Sequence, residues 1–177
     1  MSKRPLVPVL IPPLALLAAA ACESKPPEPP ARSAAAEPRN DRVRDLFDSM
    51  AKGTYTEALF PKLGWEDIPA LLERAASTKV LTNFPCSPDS SQSEEFCSEG
   101  MVALWLVEGV RKGGGFASLN ALCFGPADAK ATWGERSEAN HERVRAAYAA
   151  WWTRARGLTR EQAVALDPLE GTGLHWY

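Results

Sequence analysis

The hydrophobic pattern of the chain has its longest unbroken apolar run inside the stretch CSEGMVALWLVEGVRKGGG, residues 97–115. Every position from Met101 to Val107 is apolar. A helix that is apolar on all sides is usually buried at the centre of a domain. Ser98 is suited to cap its first turn and Gly113 to end it. A buried strand is the alternative, because seven apolar residues have no period of their own. Both terminal signals favour the helix.

The remaining apolar positions follow helical spacing in four segments, which begin near Asn40, near Trp65, at Ser137 and near Thr159. Asn40 and Ser137 have side chains that commonly cap helices. Thr159 and Gln162 have the spacing of a capping box. The first segment carries a single apolar stripe at i, i+3, i+4 and i+7, which is the pattern of a helix with one buried face.

No segment shows the clear period-two alternation of a half-buried strand, although residues 79–83 are compatible with extended backbone. The pattern therefore predicts an all-α fold, a small helical bundle or an array of helix pairs, in one domain over residues 40–177. The 45 % apolar content and six tryptophans suffice for a hydrophobic core.

The N-terminal residues have the features of a targeting segment. Lys3 and Arg4 precede an apolar stretch, Leu6–Ala21, that prolines interrupt and that is short for a membrane span. We predict a signal peptide over residues 1–21. The sequence LLAAAAC resembles the bacterial lipobox, whose cysteine becomes lipidated, and this predicts lipidation at Cys22. An ordinary signal peptide, cleaved nearby, is the alternative.

A proline-rich segment, residues 22–39, separates the signal peptide from the domain. It has five prolines and almost no large apolar residue, so it cannot bury enough surface to offset its ordering entropy. As an extended tether at about 3.1 Å per residue it would reach roughly 50 Å. These features predict a lipoprotein of the bacterial cell envelope, held at a membrane through Cys22.

The charge balance excludes one class of partner. Twenty basic and 22 acidic residues give a net charge of −2, so no strongly basic surface indicates nucleic acid binding.

The run from Trp65 to Tyr177 resembles an uncharacterised family of bacterial lipoproteins, a domain of unknown function. The stretches that carry the resemblance are WEDIPALLERAAST, CSEGMVALWLVEGVRKGGGFASLNAL, YAAWWTRARG and DPLEGTGLHWY. The resemblance implies a lipid-anchored helical domain. It brings no known activity, cofactor or catalytic residue with it.

Three cysteines remain if Cys22 is lipidated, and export would place them where disulfides form. Cys86 and Cys97 bracket a short loop, so we predict a disulfide between them, worth roughly 3 kcal/mol in the chain-entropy model. Cys123, among apolar neighbours, is then expected to be a buried thiol. The rival interpretation is a reactive thiol at Cys97, which would need a nearby base.

The sequence offers no complete metal motif. His141 and Glu142 begin a zinc-protease pattern, but Arg145 occupies the place of its second histidine, and His175 is the only other histidine. The loop DSSQSEE alternates oxygen-bearing side chains without the glycine and the final glutamate of a calcium loop. We therefore predict no metal, no cofactor and no catalytic residue.

The expected function is that of a non-catalytic binding or interaction module with an envelope protein as its partner. Trp152, Trp133 and Trp176 are the candidate contacts with a ligand or partner. A protective, immunity-type lipoprotein that blocks a partner protein is one alternative. A carbohydrate or peptidoglycan binder that uses the same tryptophans is another.

An enzyme with an unfamiliar motif is the alternative from a different class. Its chemistry would depend on Cys97, or on an acidic pair formed by Glu94 and Glu99. The claim for Cys97 fails if that thiol is disulfide-bonded and inert.

Overall fold

The computed structural model describes residues 39–57, 59–90, 96–125 and 133–176. The predicted signal peptide, Cys22 and nearly all of the predicted tether lie outside these residues. The described part is mostly helical, with two short antiparallel strand pairs. Its elements are α1 (Arg39–Ala51), a 3₁₀ turn (Trp65–Asp67), α2 (Ile68–Arg74), β1 (Val80–Leu81), β2 (Cys97–Ser98), α3 (Glu99–Arg111), β3 (Cys123–Phe124), α4 (Trp133–Ala155), α5 (Arg160–Ala165) and β4 (His175–Trp176).

The central helix is α3, and all of its residues are buried, which confirms the prediction from the apolar run. Ser98 is its N-cap, and the Ser98 hydroxyl accepts a hydrogen bond of 3.2 Å from the amide of Met101. The helices α2 and α4 pack against it. None of the helices in the described parts of the chain is long and apolar enough to cross a bilayer.

Gly100, in the first turn of α3, lies where two neighbouring segments come unusually close. A β-carbon at this position would lie 2.6 Å from the carbonyl oxygen of Ala75, and it would also contact the imidazole of His141 on α4. The same imidazole is 2.6 Å from the Ala75 carbonyl oxygen. Only glycine therefore allows α3, the end of α2 and α4 to meet at this distance.

The two strand pairs differ from the all-α prediction. The pair β1–β2 aligns Val80 with Ser98 and Leu81 with Cys97, directly before α3. The pair β3–β4 aligns Cys123 with Trp176. Each strand has two residues, so it is too short to produce a period-two pattern in the sequence.

The helix ends test the predicted caps. Thr159 and Gln162 form the predicted capping box, in which the Thr159 hydroxyl accepts from the Gln162 amide at 3.3 Å. The predicted start at Ser137 is wrong, because α4 begins at Trp133 and includes Ser137. Asn40 likewise lies inside α1, which begins at Arg39. Residues with capping side chains also occur inside helices, where tertiary packing decides the boundary.

Candidate functional site

A cleft of about 540 Å³ lies between α1 and the connection that follows it. Its volume is within the roughly 300–1,000 Å³ range of ligand sites in proteins. We refer to it as the α1 cleft. Its lining residues are Arg42, Asp45, Leu46, Ser49, Tyr55, Glu57, Pro61, Lys62 and Leu63.

One wall of the α1 cleft consists of side chains along one side of α1, next to the side of that helix that is buried in the core. The opposite wall is the connection from Tyr55 to Leu63, and Asn83 fixes its first residue. The Asn83 side chain accepts from the Tyr55 amide at 2.9 Å and donates to the Tyr55 carbonyl at 3.1 Å. This pair of hydrogen bonds ties the wall to the segment after β1. The cleft is therefore held by tertiary contacts on both sides.

Charges of both signs line the α1 cleft. Arg42 donates to the Asp67 carboxylate at 3.2 Å, and Asp67 is only 1 % exposed. Lys62 and Glu57 are exposed and form no ion pair with any described residue. Asp45 forms a salt bridge of 3.3 Å with Arg44 on the same helix. The cleft thus offers both cations and anions to a ligand.

Tyr55 contributes a hydroxyl to the cleft. Burial, with a smaller effect of the negative charge on Glu57, raises the pKa of Tyr55 to about 12. The phenol therefore stays protonated at neutral pH, where it donates to the Leu59 carbonyl at 3.5 Å. Its single proton is donated within the domain, and the protonated phenol cannot act as a base.

Two of the three tryptophans that were predicted as contacts have described side chains, and a row of rings through Trp151 and Tyr148 links them. Trp152 is half-buried beside Trp65 and Trp151, with ring centroids 5.7 Å from each. Trp176 is half-buried at the other end of this row, where its indole donates to the Tyr148 hydroxyl at 2.8 Å. Trp133 begins α4, and its side chain is outside the described part of the structure. Trp65 was not among the predicted contacts, because its pairing with α4 depends on tertiary packing.

A buried polar network links α3 to the C-terminal part of the domain. Glu108 accepts two hydrogen bonds of 2.7 Å from the guanidinium of Arg111 and one of 2.7 Å from the Tyr148 hydroxyl. Arg111 also donates to the Val164 carbonyl at 2.6 Å. Burial first, and then the Glu108 charge, raise the pKa of Tyr148 well above its ordinary value. No local sequence pattern predicts this network, because Tyr148 and Val164 are 40 and 53 residues from the side chains that they bind.

Residues 37–177 match the model of a domain of unknown function, DUF4943. The chain belongs to the DUF4943 family. The match includes the α1 cleft, the tryptophans around Trp152 and the buried network, so all of them are parts of one family domain. It agrees with the resemblance of Trp65–Tyr177 to an uncharacterised domain. Comparison with curated proteins and with solved structures gave no match.

The acid–base residues considered for catalysis are engaged within the DUF4943 domain. Glu99 accepts from the guanidinium of Arg74 and from the Ser77 hydroxyl, the latter at 3.2 Å. The His141 imidazole contacts the carbonyl of Ala75. Glu94 lies outside the described residues, so the proposed pair with Glu99 has no described geometry. No group of three or more histidine, cysteine, aspartate or glutamate side chains in the described part could hold a metal ion.

The predicted disulfide between Cys86 and Cys97 is not formed in the structure, where both residues are thiols. Cys97 pairs with Leu81 in the first strand pair, and both side chains are buried in the core. The Cys97 thiol is 3.5 Å from the Ala121 carbonyl, to which it donates. Cys86 is exposed and lines a second, smaller cleft of about 160 Å³. Cys123 is buried, as the sequence predicted.

Proposed function

We propose that this DUF4943 protein is a lipid-anchored, non-catalytic interaction module of the bacterial cell envelope. In this proposal the α1 cleft holds a segment of an envelope protein. The observation that carries the proposal is the charge arrangement of the cleft, with Arg42 and Lys62 as cations and Asp45 and Glu57 as anions. A peptide segment that bears both acidic and basic side chains complements this arrangement.

The proposed anchor is Cys22, exposed as the new N-terminus after removal of residues 1–21. The tether, residues 22–39, would then keep the domain within roughly 50 Å of the membrane surface. A tethered domain meets a membrane-bound partner at a raised effective concentration, so a modest affinity at the cleft is sufficient.

The acid–base groups already form contacts within the domain or are held in one protonation state, and this supports a binding role over catalysis. Glu99 is paired with Arg74, and Tyr55 is protonated at neutral pH. A general base requires a group that can accept a proton from a bound substrate near neutral pH. The α1 cleft offers hydrogen bonds and charges, which are the requirements of recognition.

The experiment is a pull-down of the lipidated protein from gently solubilised membranes of its own host, followed by mass spectrometry. The test variant combines Asp45→Asn with Lys62→Gln, which removes one charge of each sign from the cleft. The control combines Asp48→Asn with Lys79→Gln, which are exposed positions outside the cleft. Both variants keep the net charge of the chain.

We expect the unmodified protein and the control to retain a stoichiometric partner, and the cleft variant to recover about tenfold less of it. Equal recovery with the cleft variant would show that the partner binds elsewhere, and absence of any partner would refute the interaction module. A Cys22→Ser variant tests the anchor separately, because it should leave the membrane fraction while the cleft stays intact.

A further inference from the structure

The turn between α4 and α5 concentrates exposed arginines. Arg154, Arg156 and Arg160 are all exposed and lie within seven residues, in the sequence RARGLTR. Arg154 and Arg156 form no ion pair with any residue that the structure describes. The charge of Arg160 acts on the adjacent carboxylate of Glu161, with which it forms no salt bridge in the described part of the structure. We refer to residues 154–160 as the basic turn.

The other arginines with described side chains are engaged by oxygen atoms of the domain. They hold carboxylates, amide oxygens or backbone carbonyls through hydrogen bonds or salt bridges. These residues are Arg42, Arg44, Arg74, Arg111, Arg143 and Arg145. Among the arginines with described side chains, those of the basic turn are therefore the ones whose guanidinium groups can bind an external anion.

The backbone of the basic turn is fixed by local hydrogen bonds. The Arg156 amide donates to the Trp152 carbonyl at 3.0 Å, and the Leu158 amide donates to the Ala155 carbonyl at 3.0 Å. The capping box at Thr159 then begins α5. Cations are also favoured at this end of α4, since the helix dipole is negative there. The arginines are thus presented on an ordered turn.

Apolar side chains accompany the arginines. Leu158, in the middle of the basic turn, is 42 % exposed. Trp152 is half-buried, and Arg156, the first residue after α4, donates its amide to the Trp152 carbonyl, so the two residues are neighbours at this end of the helix. Cationic side chains around an exposed leucine and a half-exposed indole are the composition of surfaces that contact the headgroup region of a bilayer.

We propose that the basic turn lies on the surface of a bilayer that contains anionic phospholipids. Charge complementarity is the argument for this occupant, since the turn holds three arginines while the whole chain has a net charge of −2. An anionic surface therefore attracts this end of the domain in preference to the rest. The proposal rests on the proposed lipid anchor, which keeps the domain within reach of a membrane.

The experiment uses the full chain, bound to vesicles of phosphatidylcholine with or without phosphatidylglycerol. Because the N-terminal segment can itself bind vesicles, the readout is local: the rate of trypsin cleavage after Arg154 and Arg156, measured by mass spectrometry. Cleavage after Lys52 and Lys79, which are exposed elsewhere, is the internal reference. We expect phosphatidylglycerol to slow cleavage in the basic turn about fivefold relative to the reference sites, and high salt to abolish the effect.

A double variant, Leu158→Ser with Arg160→Gln, weakens the surface and leaves both cleavage sites intact. We expect it to lose the protection. The matched control is Leu59→Ser with Arg44→Gln, which removes an exposed leucine and an exposed arginine outside the basic turn. The control should remain protected.

Equal cleavage on the two vesicle types would overturn the proposal. So would protection by polyglutamate without protection by phosphatidylglycerol, because the occupant would then be an acidic protein segment. These vesicles contain no protein partner, so the result is independent of the pull-down. We also expect phosphatidylglycerol to protect the basic turn in the Asp45→Asn, Lys62→Gln variant. This result would show that the basic turn binds the membrane independently of the α1 cleft.

Discussion

The hydroxyl of Tyr148 donates a hydrogen bond of 2.7 Å to the carboxylate of Glu108, and both side chains are buried. Tyr148 in turn accepts from the indole of Trp176. One phenol therefore connects α4 to the central helix and to the last strand. A buried carboxylate needs such donors, because burial of an unpaired charge is costly.

Tyr148→Phe is expected to lower the free energy of unfolding by about 1–3 kcal/mol, because the indole of Trp176 loses its acceptor and Glu108 loses a donor. Urea denaturation followed by circular dichroism measures the change as a lower midpoint at an unchanged slope. Thr153→Ala, an exposed change on the same helix, should remain within about 0.5 kcal/mol of the unmodified protein. If Tyr148→Phe also changed the free energy of unfolding by no more than about 0.5 kcal/mol, the result would contradict the structural role of the network.

Alkaline pH is expected to destabilise the domain through Tyr55 and Tyr148. Their pKa values are raised in the folded state, to about 12 for Tyr55, mainly by burial. The unfolded chain releases phenol protons near pH 10, while the folded chain keeps them. The stabilisation from these groups is therefore complete below about pH 10 and is lost as the pH rises through their raised pKa values, which for Tyr55 is about 12.

Spectrophotometric titration of the phenolate absorbance tests this expectation. In denaturant all three tyrosines of the chain should titrate near pH 10. In the folded protein the absorbance of Tyr55 and Tyr148 should appear at higher pH, and Tyr148→Phe should remove the later step. A native titration that coincides with the denatured one would show that these phenols are accessible to water.

Gly100→Ala is expected to destabilise the domain by about 1–3 kcal/mol, since the added methyl group would collide with the Ala75 carbonyl and the His141 imidazole. Gly157→Ala is the matched control, because its β-carbon would meet no atom within 4 Å. Thermal unfolding compares the two variants. Similar melting temperatures would mean that α3 and α4 separate at little cost.

Thiol reactivity is expected to distinguish the cysteines. Under non-reducing conditions an alkylating reagent should modify Cys86 in the folded protein, since this thiol is exposed, while Cys97 and Cys123 should react only after denaturation. Peptide mapping by mass spectrometry locates the label. Recovery of a cross-linked peptide pair that contains Cys86 and Cys97 would instead support the disulfide predicted from loop length.

The elements that the sequence predicted correctly depend on signals that are local in the chain. The α3 cap at Ser98 and the capping box at Thr159 each require residues only three positions apart. The apolar run of α3 is also a local signal, because it can be recognised in the sequence without knowing what packs against the helix. It therefore predicted the burial of α3 correctly.

The features that the sequence did not predict depend on residues distant in the chain. Tyr55 and Asn83, which fix a wall of the α1 cleft, are 28 residues apart, and Glu108 and Tyr148 are 40 apart. Glu108 and Arg111 are only three residues apart, but Arg111 also binds the Val164 carbonyl, which is 53 residues away and which no local pattern indicates. Loop length likewise suggested Cys86 as the partner of Cys97, whereas strand pairing with Leu81 buries Cys97 in the core.

The hydrogen bonds from Trp176 through Tyr148 to Glu108 also have a kinetic consequence. They join segments separated by 28 and 40 residues, so large loops must close before they form. Such contacts are expected to be absent from the folding transition state. Trp176→Phe should therefore accelerate unfolding and leave the refolding rate nearly unchanged. The docking of the last strand then determines how long a folded molecule survives.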